Sequence, residues 1–190
     1  LKYSYKDNYY KNRIMNYPLG SGFLSSRLEL NIREDKGFTY GINSSFRGDN
    51  FGGSFVIGSD IRTNATDSAL REILYEIENY VTNGITNDEL DFVKQTMLNS
   101  RSISYESNLS KLSLLSSISK YNIPKDYIVE QENIINSITK ADIDRIAKDN
   151  IHLDKLIIVI AGNKYVIKKK LEIDNIYDNY DSKALVFNIG

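Results

Sequence analysis

The sequence predicts an α+β domain: a mostly antiparallel sheet with helices packed on one face, a two-layer sandwich. Three observations carry that prediction. Two period-two apolar runs flank a glycine-rich turn, a series of helical-period segments follows them, and a β-branched run, Leu156-Ile157-Ile158-Val159-Ile160-Ala161, returns near the end. All 190 residues read as a single domain, with about 164–190 as a C-terminal extension holding a last strand from Ala184 to Ile189.

Taken in order, Leu1–Tyr5 reads as a short first strand whose open edge could pair with a second copy of the fragment or with another domain. Asp7 to Tyr17 places Tyr10, Ile14 and Tyr17 at helical spacing, and Pro18-Leu19-Gly20 ends that helix. Phe23, Leu24, Leu28, Leu30 and Ile32 suggest a second helix stopped at Lys36-Gly37, where glycine takes the left-handed C-cap. The period then becomes two: Phe38, Tyr40, Ile42 and Phe46 on one side of Arg47–Gly53, and Phe55, Ile57 and Ile61 on the other, form a hairpin. Leu70, Ile73, Leu74, Ile77 and Val81 make the apolar stripe of a helix over Thr66–Asn83 that lies on the sheet.

Thr86 with Glu89 fits a capping box, with Ile85 and Leu90 at staple positions, and opens a helix continued by Val93 and Met97. Helices over Asn108–Lys120 and Asp126–Asn136 follow, the first stopped by Asn122-Ile123-Pro124, and Thr139 with Asp142 caps another through Ile143, Ile146 and Ala147. The Leu156–Ala161 run is too short and too β-branched for a lone helix, so it predicts a buried central strand ended by Gly162.

Composition excludes more than it assigns. Lysine and arginine number 24 and aspartate and glutamate 25, so bulk charge favours neither nucleic acid nor an anionic membrane. Without cysteine there are no disulfides or thiolate metal sites, and no apolar run approaches the ~20 residues of a membrane span. The compartment stays open between periplasm and cytoplasm. A metalloprotease helix needs two imidazoles one turn apart, and this chain has one histidine, His152, read as a surface or capping residue. That histidine and the lack of a Gly-x-Ser-x-Gly elbow argue against a serine triad, and Gly20-Ser21-Gly22 lacks the Lys and Ser/Thr ending of a phosphate loop. Lys168-Lys169-Lys170 reads as a solvated helix end, and Asp174, Asp178 and Asp181 as a solvated connection without the glycine and glutamate of a calcium loop.

What remains is Arg33 and Tyr40, seven residues apart across a helix-to-strand turn. On pattern alone Tyr40 shares a strand face with Phe38 and Ile42 and reads as a half-buried core residue, and Arg33 as a solvated helix-end cation. The run Leu19-Gly20-Ser21-Gly22-Phe23-Leu24-Ser25-Ser26-Arg27-Leu28, followed by Ile32-Arg33-Glu34-Asp35-Lys36-Gly37-Phe38-Thr39-Tyr40-Gly41, resembles the C-terminal half of the M16 zinc metallopeptidases, the pitrilysin, insulin-degrading enzyme and mitochondrial processing peptidase group. The likeness extends from about Asp7 through Gly162.

The resemblance implies two homologous halves around a closed chamber, with zinc and its His-x-x-Glu-His helix in the N-terminal partner half and no cofactor in this one. It further implies that Tyr40 hydrogen-bonds the developing oxyanion, that Arg33 positions an extended peptide, and that Gly20, Ser21 and Gly22 lie at the chamber rim as substrate-binding or half-to-half interface residues. The chemistry is sound on its own terms: a phenol donates to a carbonyl oxygen gaining negative charge, and a guanidinium offers several fixed donors to peptide carbonyls. The chain alone should not hydrolyse peptides. Two other readings stay open: a non-catalytic scaffold or assembly subunit of the same fold, and a stand-alone peptide-binding module.

Overall fold

The computed structural model describes residues 9–48, 53–104, 106–122, 124, 126–173 and 184–188. The first strand expected at Leu1–Tyr5, the hairpin tip at 49–52 and the acidic stretch with Asp174, Asp178 and Asp181 lie outside the described residues. Helix α1 (Tyr9–Asn16) forms where the spacing places it and buries Tyr10, Ile14 and Met15. Pro18 then removes a backbone donor, and the chain widens into a π-helical turn, Tyr17–Ser21, closed by the Gly22 amide donating to the Tyr17 carbonyl.

A second π-helical segment, Glu29–Asp35, ends at Gly37, whose φ of +59° is the left-handed value expected of that glycine. The apolar stripe expected along this helix is corrected. Phe23 and Leu24 precede it in a turn, 81% and 44% exposed, and Leu30 is half exposed. Leu30 stands two residues from both Leu28 and Ile32, so a helix that buries those two turns it outward.

Strand β1 (Thr39–Gly48) pairs antiparallel with β2 (Gly53–Ile61), and Phe46 sits opposite Phe55 with ring centroids 4.9 Å apart. The first π-turn packs directly on β1. Asn16 donates to the Ser44 carbonyl at 2.9 Å and accepts from the Ser44 hydroxyl at 2.6 Å, both buried. Gly20 comes so close that an added Cβ would collide with Ser44 Oγ and stand 2.8 Å from Leu28 Cδ1.

Helix α2 (Thr66–Asn83) spans the expected residues and ends at Gly84, φ +72°. Helices α3 (Asn87–Ser104), α4 (Asn108–Tyr121), α5 (Tyr127–Ser137) and α6 (Lys140–Asn150) follow. Both expected capping boxes are present: the Glu89 amide donates to Thr86 Oγ1 while Glu89 accepts from the Thr86 amide, and Thr139 and Asp142 repeat the exchange. The main core joins Ile14, Met15, Leu19, Leu28, Ile32 and Ile42 to Ile77 and Tyr80 of α2 and to Ile143 and Ile146 of α6. No helix among the described residues is long and apolar enough to cross a membrane.

The central-strand expectation is also corrected. Strand β3 (Ile158–Gly162) pairs parallel with β4 (Ala184–Asn188) in a two-stranded sheet separate from the hairpin. Ile160 packs towards Leu74 of α2 and Ile167 and Leu171 of α7 (Lys164–Ile173), while Ile157 and Val159 are 73% and 60% exposed. A continuous apolar run predicts burial on two faces, and among the described residues only one face is covered.

The contact of Gly20 with β1 makes one prediction. Gly20→Ala should cost roughly 1–3 kcal/mol through overpacking, lowering the thermal midpoint by several degrees in a calorimetric scan. A wild-type midpoint would show that the π-turn does not press on Ser44.

Candidate functional site

Thr39 pairs with Ile61 and Ile42 with Ser59, so β1 carries one residue more than β2 between those points, a β-bulge. Polar groups fix it. The Thr39 hydroxyl donates to the Asp60 carbonyl at 2.7 Å and accepts from the Gly41 amide at 3.1 Å, and Ser59 Oγ donates to the Gly41 carbonyl at 2.9 Å. Beyond the bulge Ile42 and Ser44 face inward. Without it Tyr40 would share that face; with it, Tyr40 is 98% exposed. The half-buried placement that strand periodicity suggests for Tyr40 is therefore overturned by a single inserted residue.

Arg33 sits in the last turn of the second π-helix, with its side chain about one-third exposed. Nη1 approaches Glu34 at 3.2 Å and Glu29 at 3.6 Å, one carboxylate exposed and the other buried. Among the described residues Arg33 Nη2 and Nε donate no hydrogen bond, which leaves guanidinium donors for a ligand. Arg33 and Tyr40 are linked indirectly: Glu29 Oε1 accepts from the Ile42 amide at 3.1 Å, two residues past Tyr40, and Oε2 faces Arg33.

The glycine loop packs inward. Gly20 and Gly22 are buried, Gly22 against the Tyr17 ring and carbonyl, while Ser21 and Phe23 are exposed. Leu24 takes φ +58°, unusual for a branched apolar residue. Beneath this loop Arg27 grips Glu89 through two bonds of 2.7 and 2.8 Å, donates to the Gly84 carbonyl at 2.9 Å, and lies 5.1 Å from the ring centroid of buried Tyr80. Tyr80 donates in turn to the Met15 carbonyl, and burial pushes its phenol far above the usual range. The hydrogen bonds that Arg27 donates to Glu89 raise the Arg27 pKa. Burial alone would raise Glu89, but the bonds from Arg27 and Thr86 outweigh it and hold the carboxyl below its ordinary value.

A shallow cleft of about 500 Å³ opens between the second π-helix and α2, lined by Arg27, Leu30, Asn31, Glu72, Tyr75 and Glu76 among others. In it the Asn31 amide bridges Glu72 and Glu76 at 3.0 and 2.8 Å. His152 is exposed at the start of a 3₁₀ turn. With one imidazole in the whole sequence, these residues do not fit a catalytic zinc, and among the described residues no group of three potential ligands is gathered.

The profile of the family described as the peptidase M16 inactive domain matches residues 3–97, half of the chain. The chain belongs to the M16 inactive-domain family. A Helicobacter pylori protein named "Non-peptidase homolog YmxG" is 26% identical over 161 residues, covering 84% of this chain and 37% of its own length. The crystal structure of a peptidase M16 inactive domain from Pseudomonas fluorescens superposes with a TM-score of 0.72 at 26% identity, over 82% of this chain and 37% of that one. A structure titled as a protease from Helicobacter pylori shares the fold, with a TM-score of 0.64 at 18% identity over 77% of this chain and 35% of that one. This M16 chain thus spans just over a third of the length of these relatives.

Sequence reading of the M16 motif missed Glu29, Thr39 and Ser59. The only available signal for Glu29 was its position one helical turn before Arg33; the hydroxyls carried none, because a bulge depends on which residue lies across the hairpin.

A pH prediction follows from Glu89. Its depressed carboxyl contributes stability that is present above its ordinary value of 4.5 and is lost as pH falls through the lower native value. Glu89→Gln should be less stable at neutral pH and lose less stability on acidification below about 4.5, read by circular-dichroism melts. Parallel profiles for variant and wild type would refute the ion pair as a source of acid sensitivity.

Proposed function

We propose that this chain is the non-zinc half of an M16-type zinc endopeptidase, supplying Tyr40 and Arg33 to an extended peptide held at a zinc site on a partner N-terminal half. The observation that carries the reading is the bulge at the start of β1, which leaves Tyr40 98% exposed. An aromatic so exposed contributes little to this chain's own core, and the polar network behind it spends hydrogen bonds on keeping it outward.

Peptide hydrolysis builds negative charge on the scissile carbonyl oxygen, and the Tyr40 hydroxyl can donate to that oxygen. Arg33 offers Nη2 and Nε to backbone carbonyls and so fixes the register of the peptide. Ser21 and Phe23, exposed on the loop before the second π-helix, form the rim that meets peptide or partner half. The partner half supplies the Lewis acid and the general base.

A second reading has one observation in its favour: the Helicobacter pylori relative bears the name of a non-peptidase homologue. On that reading the chain belongs to a scaffold or assembly subunit that keeps the fold without proteolysis.

One assay separates them. With the zinc-bearing half present, cleavage of an unfolded peptide should fall roughly 10²-fold or more in kcat for Tyr40→Phe, with an unchanged melting temperature, while Arg33→Ala should raise KM. Wild-type kinetics for both variants would refute the site, and no cleavage by the wild-type assembly would favour the scaffold.

A further inference from the structure

We propose that Glu29 is a positioning residue, whose buried carboxylate holds Arg33 at the substrate and locks the bulge that presents Tyr40. The inference rests on the reading that Arg33 and Tyr40 contact peptide, and adds a residue that the family motif does not include.

Glu29 is 5% exposed on a segment whose Leu28 and Ile32 belong to the main core together with Ile42, and an apolar side chain would be buried there at lower cost. Its Oε1 is satisfied by the Ile42 amide at 3.1 Å. Its Oε2 is buried without a hydrogen bond and stands 3.6 Å from Arg33 Nη1. Its cationic partner is about one-third exposed, so the pair is only half buried, and a carboxylate kept here with one oxygen lacking a hydrogen bond is poorly explained by stability alone.

Its placement explains it better. One oxygen fixes the strand just past Tyr40, and the other sets the guanidinium of Arg33. Glu34, an exposed carboxylate, approaches the same Nη1 at 3.2 Å and so competes with Glu29 for one nitrogen. Arg33 Nη1 therefore answers to one buried and one exposed carboxylate, and the buried one holds it against the helix-to-strand junction. Because the Glu29 contact is an ion pair without a hydrogen bond, it orients the guanidinium and leaves donors for peptide carbonyls.

Glu29→Gln isolates the charge, since a glutamine oxygen can still accept from the Ile42 amide. In the zinc-loaded assembly cleaving a fluorogenic extended peptide, this variant should raise KM about fivefold, the scale of an ion pair, with a much smaller change in kcat. Added to Arg33→Ala it should change KM no further, because the charge acts through Arg33. Glu34→Gln, an exposed change that leaves folding intact, should lower KM about twofold by removing the competing carboxylate.

The inference is overturned if Glu29→Gln leaves KM unchanged beside a damaging Arg33→Ala, if the two changes multiply in the double variant, or if Glu34→Gln leaves KM unchanged or raises it. A neutral Arg33→Ala instead removes the substrate role on which the inference rests, and both fall together.

Discussion

A carboxylate withdrawn from water needs its charge met by donors or a cation, and at the helix-to-strand junction Glu29 is met from both sides. The Ile42 amide reaches one oxygen and the Arg33 guanidinium faces the other. That constraint ties the second π-helix to the bulged start of β1. The widened helix places Glu29 inward and Leu30 outward, the bulge turns Tyr40 out, and the left-handed Gly37 lets the chain pass from one to the other within a few residues. Behind the junction, the close approach of Gly20 to Ser44 and the grip of Arg27 on Glu89 seat the glycine loop and the α2–α3 turn against the same core.

Local rules made most elements legible in the sequence. The stripe from Leu70 to Val81 is satisfied only by a helix, and α2 runs over the expected residues. The capping boxes at Thr86 and Thr139 depend on residues three apart, so they survive any tertiary context. The hairpin and the cap at Gly37 are of the same kind. Features that depend on distant neighbours were not legible. Nothing within Leu156–Ala161 says that one face of β3 would be left open, and nothing within Phe38–Ile42 says that Ser59 and Asp60 would fix an extra residue opposite them.

The candidate site divides along the same line. Its residue types and spacing could be read from the chain, because a family motif is a local pattern. Its geometry could not: Tyr40 reads as core by strand period and stands in solvent, and Arg33 reads as a solvated cation and leans on a buried anion. Glycines 20 and 22, expected at a chamber rim, occupy close-packed positions, with the exposed Ser21 between them. This M16 inactive domain thus has a junction that carries an outward phenol and a guanidinium set against a buried carboxylate.

The central claim is that Tyr40 faces bound peptide, and the most direct measurement places a photo-crosslinking phenylalanine analogue at position 40. Irradiated in the zinc-bearing assembly with a labelled extended peptide, it should transfer label to this chain, and excess unlabelled peptide should abolish the transfer. Capture of the peptide by an analogue at exposed Tyr75 but not at position 40 would contradict the account.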